Sequence, residues 1–174
     1  RNGNFVRVDI EGSAYTERTM LMVDRVHADL PNTGTAVQSY LHRAPADAEL
    51  AVMSGIRIRL VKGAYKEPAT VAYQDKADVD AAFLRLMARL LESGTRPAIA
   101  THDPAMIEAT RARAVALGLT ADRFEFQMLY GIRRDLQTSL LGQGYHVRVY
   151  VPFGKEWFPY FMRRLGERPA NVGF

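Results

Sequence analysis

A chain of 174 residues, 48% of them hydrophobic, has the length and composition of one domain with a sizeable core, and no apolar run is long enough to span a bilayer. Cysteine is absent, which excludes a disulfide framework, thiolate metal ligands and a thiol nucleophile, and suits a reducing compartment. The formal charge of +4 comes without a Lys/Arg block or basic-aromatic interleaving, so it is a weak argument for nucleic acid; an anionic small ligand would satisfy the same excess.

The chain opens almost directly on an apolar alternation, NFVRVDIE (residues 4–11), with no initiator methionine and no targeting segment, and reads as part of a longer protein. That alternation predicts a first strand, and AYTERTMLMVDRVHADL (14–30) then carries apolar residues at helical spacing. A second strand is predicted over TAVQSYL (35–41), followed by a less regular helical pattern at 42–55. IRIRLVKG (56–63) predicts a third strand and 77–94 a helix; RPAIATH (96–102) a fourth, with a helix at 104–120. FEFQML (124–129) and HVRVYVPF (146–153) complete the strands, each with a helix behind it, at 133–144 and 156–167. Asp, Thr or Pro near several helix starts and Gly at their ends are ordinary helix punctuation.

Strands alternating with helices at about 30 residues per unit predict a parallel sheet, open or closed. Side-chain parity favours closure. Val6, Val8 and Ile10 separate from Arg7, Asp9 and Glu11; Ile58 and Leu60 from Arg57 and Arg59. Phe124, Phe126 and Met128 separate from Glu125, Gln127 and Leu129, and Val147, Val149 and Val151 from Arg148 and Tyr150. The apolar parity must face the helices, so the polar one gathers in a shared interior, which an open sheet would instead cover with helices. The expected fold is α/β: a closed (β/α)8 TIM-like barrel of which the chain, missing its first part, holds roughly the last six β/α units.

A barrel of this kind carries its site at the C-terminal ends of its strands. Those ends are Asp9, Glu11, Gln38, Tyr40, Arg59 through Ala64, Thr101, His102, Gln127, Leu129 and Tyr150. Parity points Arg59 inward and Lys62 away, which disfavours Lys62 as a Schiff-base lysine unless a bulge shifts the register. Arg59 on the inward parity suits a bound ligand; the plainer alternative is an interior ion pair with Glu11 or Glu125. Gly63 and Ala64 let backbone approach a planar ligand, though a simple turn needs glycine as well. His102 has no second histidine or carboxylate at metal-binding spacing, so no metal is expected. In the last helix Tyr160, Arg163, Arg164 and Glu167 share one face, opposite Phe158, Phe161, Met162 and Leu165. A solvated stripe is the default explanation; an adjacent arginine pair with an aromatic beside it is also a good carboxylate clamp. The G-x-G-x-x-G fingerprint, P-loop, G-x-S-x-G and H-E-x-x-H motifs are all absent, which leaves open a flavin bound on the barrel mouth.

RLVKGAY, ATHD, FEFQMLYG, VRVYVPFG and YFMRRLGERPAN, in that order, resemble the proline dehydrogenase family, particularly its short bacterial monofunctional members. The resemblance implies a distorted (β/α)8 barrel, residues 1–174 being the C-terminal part of its catalytic domain, and FAD-dependent oxidation of L-proline to Δ1-pyrroline-5-carboxylate, with hydride passing from proline C5 to flavin N5 and electrons going on to a quinone. It implies that Arg163 and Arg164 bind the proline carboxylate, that Tyr160, Tyr150 and Leu129 wall the ring, and that Glu167 orients the arginine pair. Asp9 is similar to an acidic active-site residue of the family. Gln38 and Arg59 match isoalloxazine contacts, Arg59 near N5, with Val61, Gly63 and Ala64 beside them and Arg164 also near the flavin. Thr101, His102 and Gln127 match contacts to the flavin or its chain, and Lys76 matches the adenylate end. A cytoplasmic location, with at most peripheral contact with the inner membrane, completes these expectations, and the charge pattern adds that no nucleic-acid partner is expected. The alternative reading is a barrel lyase or aldolase using Lys62.

Overall fold

A computed structural model of the chain describes residues 3–155 and Phe158. Six strands, β1 (Val6–Val8), β2 (Thr33–Gln38), β3 (Arg57–Val61), β4 (Ala98–Ala100), β5 (Glu125–Leu129) and β6 (Val147–Tyr150), lie side by side in chain order, every neighbouring pair parallel. The crossovers contain α1 (Ser13–Asp29), α2 (Ala44–Met53), α3 (Lys76–Ser93), α4 (Pro104–Ala116) and α5 (Arg134–Gly142). This is the expected arc of a (β/α)8 barrel; five predicted strands are trimmed to the residues that ladder, and the second begins two residues earlier than predicted, at Thr33. The predicted helix at 156–167 lies outside the described residues apart from Phe158.

Local chemistry accounts for several boundaries. The α4 N-terminus is set by Asp103, whose carboxylate accepts the Ala105 N–H at 3.0 Å, with Pro104 at the first helical position. At α1 the preceding residue is Gly12, which has no side chain to cap with; Glu67, from the segment after β3, accepts both the Ser13 N–H and its hydroxyl, at 2.7 and 2.6 Å.

The outward parity of the central strands makes the core, in which Ile58, Leu60, Ile99, Phe126 and Met128 pack with Phe83, Leu86, Leu90, Met106 and Ile107. At the edges the parity rule weakens. Val6 is 55% exposed and Val149 37%, because among the described residues β1 and β6 each have one strand neighbour and incomplete helix cover. The sheet curls. Arg7 of β1 feels the charges of Glu125 on β5 and Arg148 on β6, and Asp9 bonds Arg59 of β3 across the concave side.

Candidate functional site

The concave face is built from rows of alternating size. Ala36, Arg59, Ala98 and Glu125 align across successive strands, as do Ala100, Gln127 and Arg148 in the next row. Each alanine leaves lateral room for a neighbouring guanidinium or amide head. Through that room runs a continuous polar chain. Arg148 grips Glu125 with Nε and Nη2 at 2.9 and 3.0 Å, Gln127 Nε2 donates to Glu125 at 2.5 Å, and Arg59 Nε donates to Gln127 Oε1 at 2.6 Å. Arg59 Nη1 then donates to Asp9.

Burial alone would raise the Glu125 carboxyl, but the bonds from Arg148 and Gln127 and the charges of Arg148 and Arg7 outweigh it and hold it below its ordinary range. Deeper in the arc Arg7 donates to the carbonyls of Thr35 and Arg57 at 2.8 and 3.1 Å. Desolvation, reinforced by the charge of Arg59, pushes its guanidinium down to about 10.

At the C-terminal ends of the strands this face opens into a cavity of about 430 Å³. Asp9 reaches it from beyond β1, Gln38 from the end of β2, and Arg59, Val61, Gly63 and Ala64 from β3 and the turn after it. Thr101 and His102 follow β4, Gln127 and Leu129 belong to β5, and Tyr150 ends β6. Gln38 Nε2 donates to the carbonyls of Ile10 and Glu11, at 3.1 and 3.0 Å, which fixes the amide and leaves buried Oε1 with no hydrogen-bond partner among the described residues. His102 Nε2 accepts the Leu129 N–H at 2.8 Å, putting the proton of a neutral ring on Nδ1. The Arg59 guanidinium lies 6.0 Å from the Tyr150 ring centroid.

Two expectations need correction, the ion-pair partner of Arg59 and the place of Tyr40. The ion-pair partner of Arg59 is Asp9, not Glu11 or Glu125; the sheet's curl brings Asp9 to it, while Arg148 takes Glu125 and Tyr65 donates to Glu11. Tyr40 is not a lining residue. Its ring is buried behind Gly63, and burial, then the charge of Glu67, pushes its phenol up to about 12. Lys76, the first residue of α3, is exposed, bonds Asp80 and stands outside the cavity lining. The Lys62 ammonium is claimed by Asp80 at 2.5 Å and Asp103 at 2.9 Å. Arg163, Arg164, Tyr160 and Glu167 lie outside the described residues.

Tyr65 lines the cavity and was missing from the residues proposed from sequence; the available signal was an aromatic two residues after Gly63, just past a strand end. Among the described residues no group of three or more His, Asp or Glu could hold a metal ion, and no helix is long and apolar enough to cross a membrane.

The proline dehydrogenase family model matches residues 1–174. Proline dehydrogenase of Deinococcus radiodurans is 46% identical over 178 residues, which cover 99% of this chain and 56% of that protein. Proline dehydrogenase 1 of Bacillus subtilis strain 168 is 44% identical over 169 residues, 97% of this chain and 56% of that protein. The chain thus spans about half the length of these curated relatives. Among solved structures, proline utilization A from Bdellovibrio bacteriovorus inactivated by N-propargylglycine superposes with a TM-score of 0.88 at 27% identity, over 97% of this chain and 20% of that one. A mutant (D779W) of Bradyrhizobium japonicum proline utilization A gives 0.83 at 26%, with the same coverage. With the family model matched from end to end, and relatives this similar along nearly its whole length, the chain belongs to the proline dehydrogenase family.

Proposed function

We propose that the full-length protein is an FAD-dependent proline dehydrogenase that oxidises L-proline to Δ1-pyrroline-5-carboxylate and passes the electrons to a quinone. The observation that carries this reading is the mouth of the arc, where Arg59 lines one cavity together with Gln38, whose buried Oε1 has no hydrogen-bond partner among the described residues. Such an oxygen calls for an N–H donor from a ligand, because a buried acceptor left unsatisfied is costly. An isoalloxazine ring has a ring N–H, carbonyl oxygens and an apolar body, and the small residues Ala36, Gly63, Ala64 and Ala100 leave space for a flat group. FAD, when bound, supplies hydride acceptance at N5 and two-electron transfer to the quinone.

The chain's own residues have distinct tasks. Gln38 and Arg59 would hold the flavin's polar edge, and the charge of Arg59 favours an anion developing beside it. Val61, Gly63 and Ala64 would lie along the ring, and Thr101, His102 and Gln127 would bind the flavin or its chain. The His102 acceptor bond to Leu129 holds the imidazole in one tautomer and keeps Leu129 against the cavity. Leu129 and Tyr150 would wall the proline ring together with Tyr160, Arg163 and Arg164 would clamp its carboxylate, and Glu167 would orient that pair. Asp9 offsets the charge of Arg59 at the rim. A role for Lys62 as a Schiff-base nucleophile has less support, since its ammonium is held by Asp80 and Asp103.

The visible spectrum of the full-length protein, kept anaerobic and recorded before and after L-proline, tests this reading. A flavin band that bleaches with proline and not with glycine is expected. A protein that stays colourless after incubation with FAD would refute it, and borohydride trapping of a substrate imine on Lys62 would favour the lyase instead.

A further inference from the structure

The polar chain on the concave face extends past every residue given a ligand role above. Glu125 is 6% exposed and Gln127 5%, and the amide of Gln127 lies between a carboxylate and a guanidinium. Only one orientation of that amide is favourable. Turned over, it would point its NH2 at the Arg59 Nε–H and its oxygen at Glu125, so two buried hydrogen bonds would become two like-against-like contacts. Glu125 is itself fixed in plane by the two-pronged grip of Arg148, which reaches in from the more open strand β6.

We propose that Glu125 and Arg148 are positioning residues that act through the Gln127 amide to fix where Arg59 holds its charge. This rests on the flavin reading above, and its consequence there is on electron affinity: a guanidinium held in one place stabilises the reduced, more negative flavin more than one free to swing. The alternative is that Glu125 only neutralises Arg148 and Arg7 and contributes to folding. The two accounts separate when the ion pair is removed as a pair, leaving no uncompensated charge between Glu125 and Arg148.

The test is the variant Glu125→Gln/Arg148→Gln in the full-length holoenzyme, with the flavin reduction potential measured by dye equilibration alongside thermal unfolding. The expected result is retained FAD stoichiometry and a preference for reduced over oxidised flavin about tenfold weaker, a potential lower by about 30 mV for a two-electron couple. The kcat for proline should fall about tenfold, while KM stays within about twofold. A changed melting temperature with an unchanged potential would overturn the proposal. If the double variant does not fold, Arg148→Lys keeps the charge of the pair but not the two-pronged grip on Glu125; a shift of about threefold in the same direction is expected, and no shift again overturns it. A parent protein that binds no flavin removes both this inference and the function it rests on, whereas a parent that bleaches with proline and a variant with the parent's potential remove this inference alone.

Discussion

At Arg59 three neighbours act on one guanidinium: Gln127 and Asp9 bond it, and the Tyr150 ring lies against it. A cation so restrained is preorganised, and preorganised charge acts on a transition state without reorganisation at the moment of reaction. Arg59→Met in the full-length enzyme is therefore expected to lower kcat for proline by about 100-fold while proline KM changes by less than about threefold. Steady-state kinetics with a quinone acceptor would measure both; an unchanged kcat would remove Arg59 from the chemistry. If the proposed clamp holds proline by its carboxylate, Arg164→Met belongs to a different class, because a carboxylate that loses a desolvated bidentate partner loses binding. Its KM for proline should rise by about 100-fold, checked by steady-state kinetics over a wide proline range.

The segment between β3 and α3 is ordered by contacts to two other loops. It pairs with the turn after β2 through an antiparallel bridge between Leu41 and Ala72 and through the Tyr40 N–H to Lys62 carbonyl bond at 2.9 Å. Toward α1 it is tied by Glu67 to Ser13 and by Tyr65 to Glu11. Gly63 is the point these ties depend on. Its φ is +118°, and a Cβ there would lie 2.2 Å from a carbon of the Tyr40 ring. Gly63→Ala is expected to destabilise the protein by about 1–3 kcal/mol through backbone strain alone, and to release bound flavin because the turn must move away from Tyr40. Melting temperature and the flavin-to-protein absorbance ratio would test this; a variant that keeps both contradicts the account of the turn.

Over the whole molecule, parallel strands in chain order concentrate ionisable groups on one concave face, and this makes stability depend on pH. Glu125 and Asp103 are both held below their ordinary range. For Asp103, as for Glu125, burial opposes the effect, and the bond and charge of Lys62 with the Ala105 N–H bond prevail. A depressed carboxyl contributes stability that is present above its unfolded pKa, about 4.3 for Glu and 3.9 for Asp, and that is lost as pH falls through the folded value. The urea midpoint of the full-length protein should therefore fall between about pH 5 and pH 3, and the fall should be smaller in Glu125→Gln. Equal acid sensitivity in the two proteins would show that Glu125 does not contribute to it.

Much of the site was legible in the sequence. Element order, the parallel arc, the inward parity of Arg59, Glu125, Gln127 and Arg148, and the strand ends that line the cavity all follow from local rules, because a strand alternates its side chains with period two wherever it lies. Tertiary structure alone decided which charge meets which. Asp9 reaches Arg59 through the curl of the sheet, Arg148 takes Glu125 because β5 and β6 pair in a particular register, and Tyr40 sits behind Gly63 because two loops from neighbouring strands dock together. Exposure at Val6 and Val149 likewise depends on which neighbours cover the edge strands. Parity belongs to one strand, whereas register, curvature and loop docking are relations between strands and are absent from any single stretch of sequence.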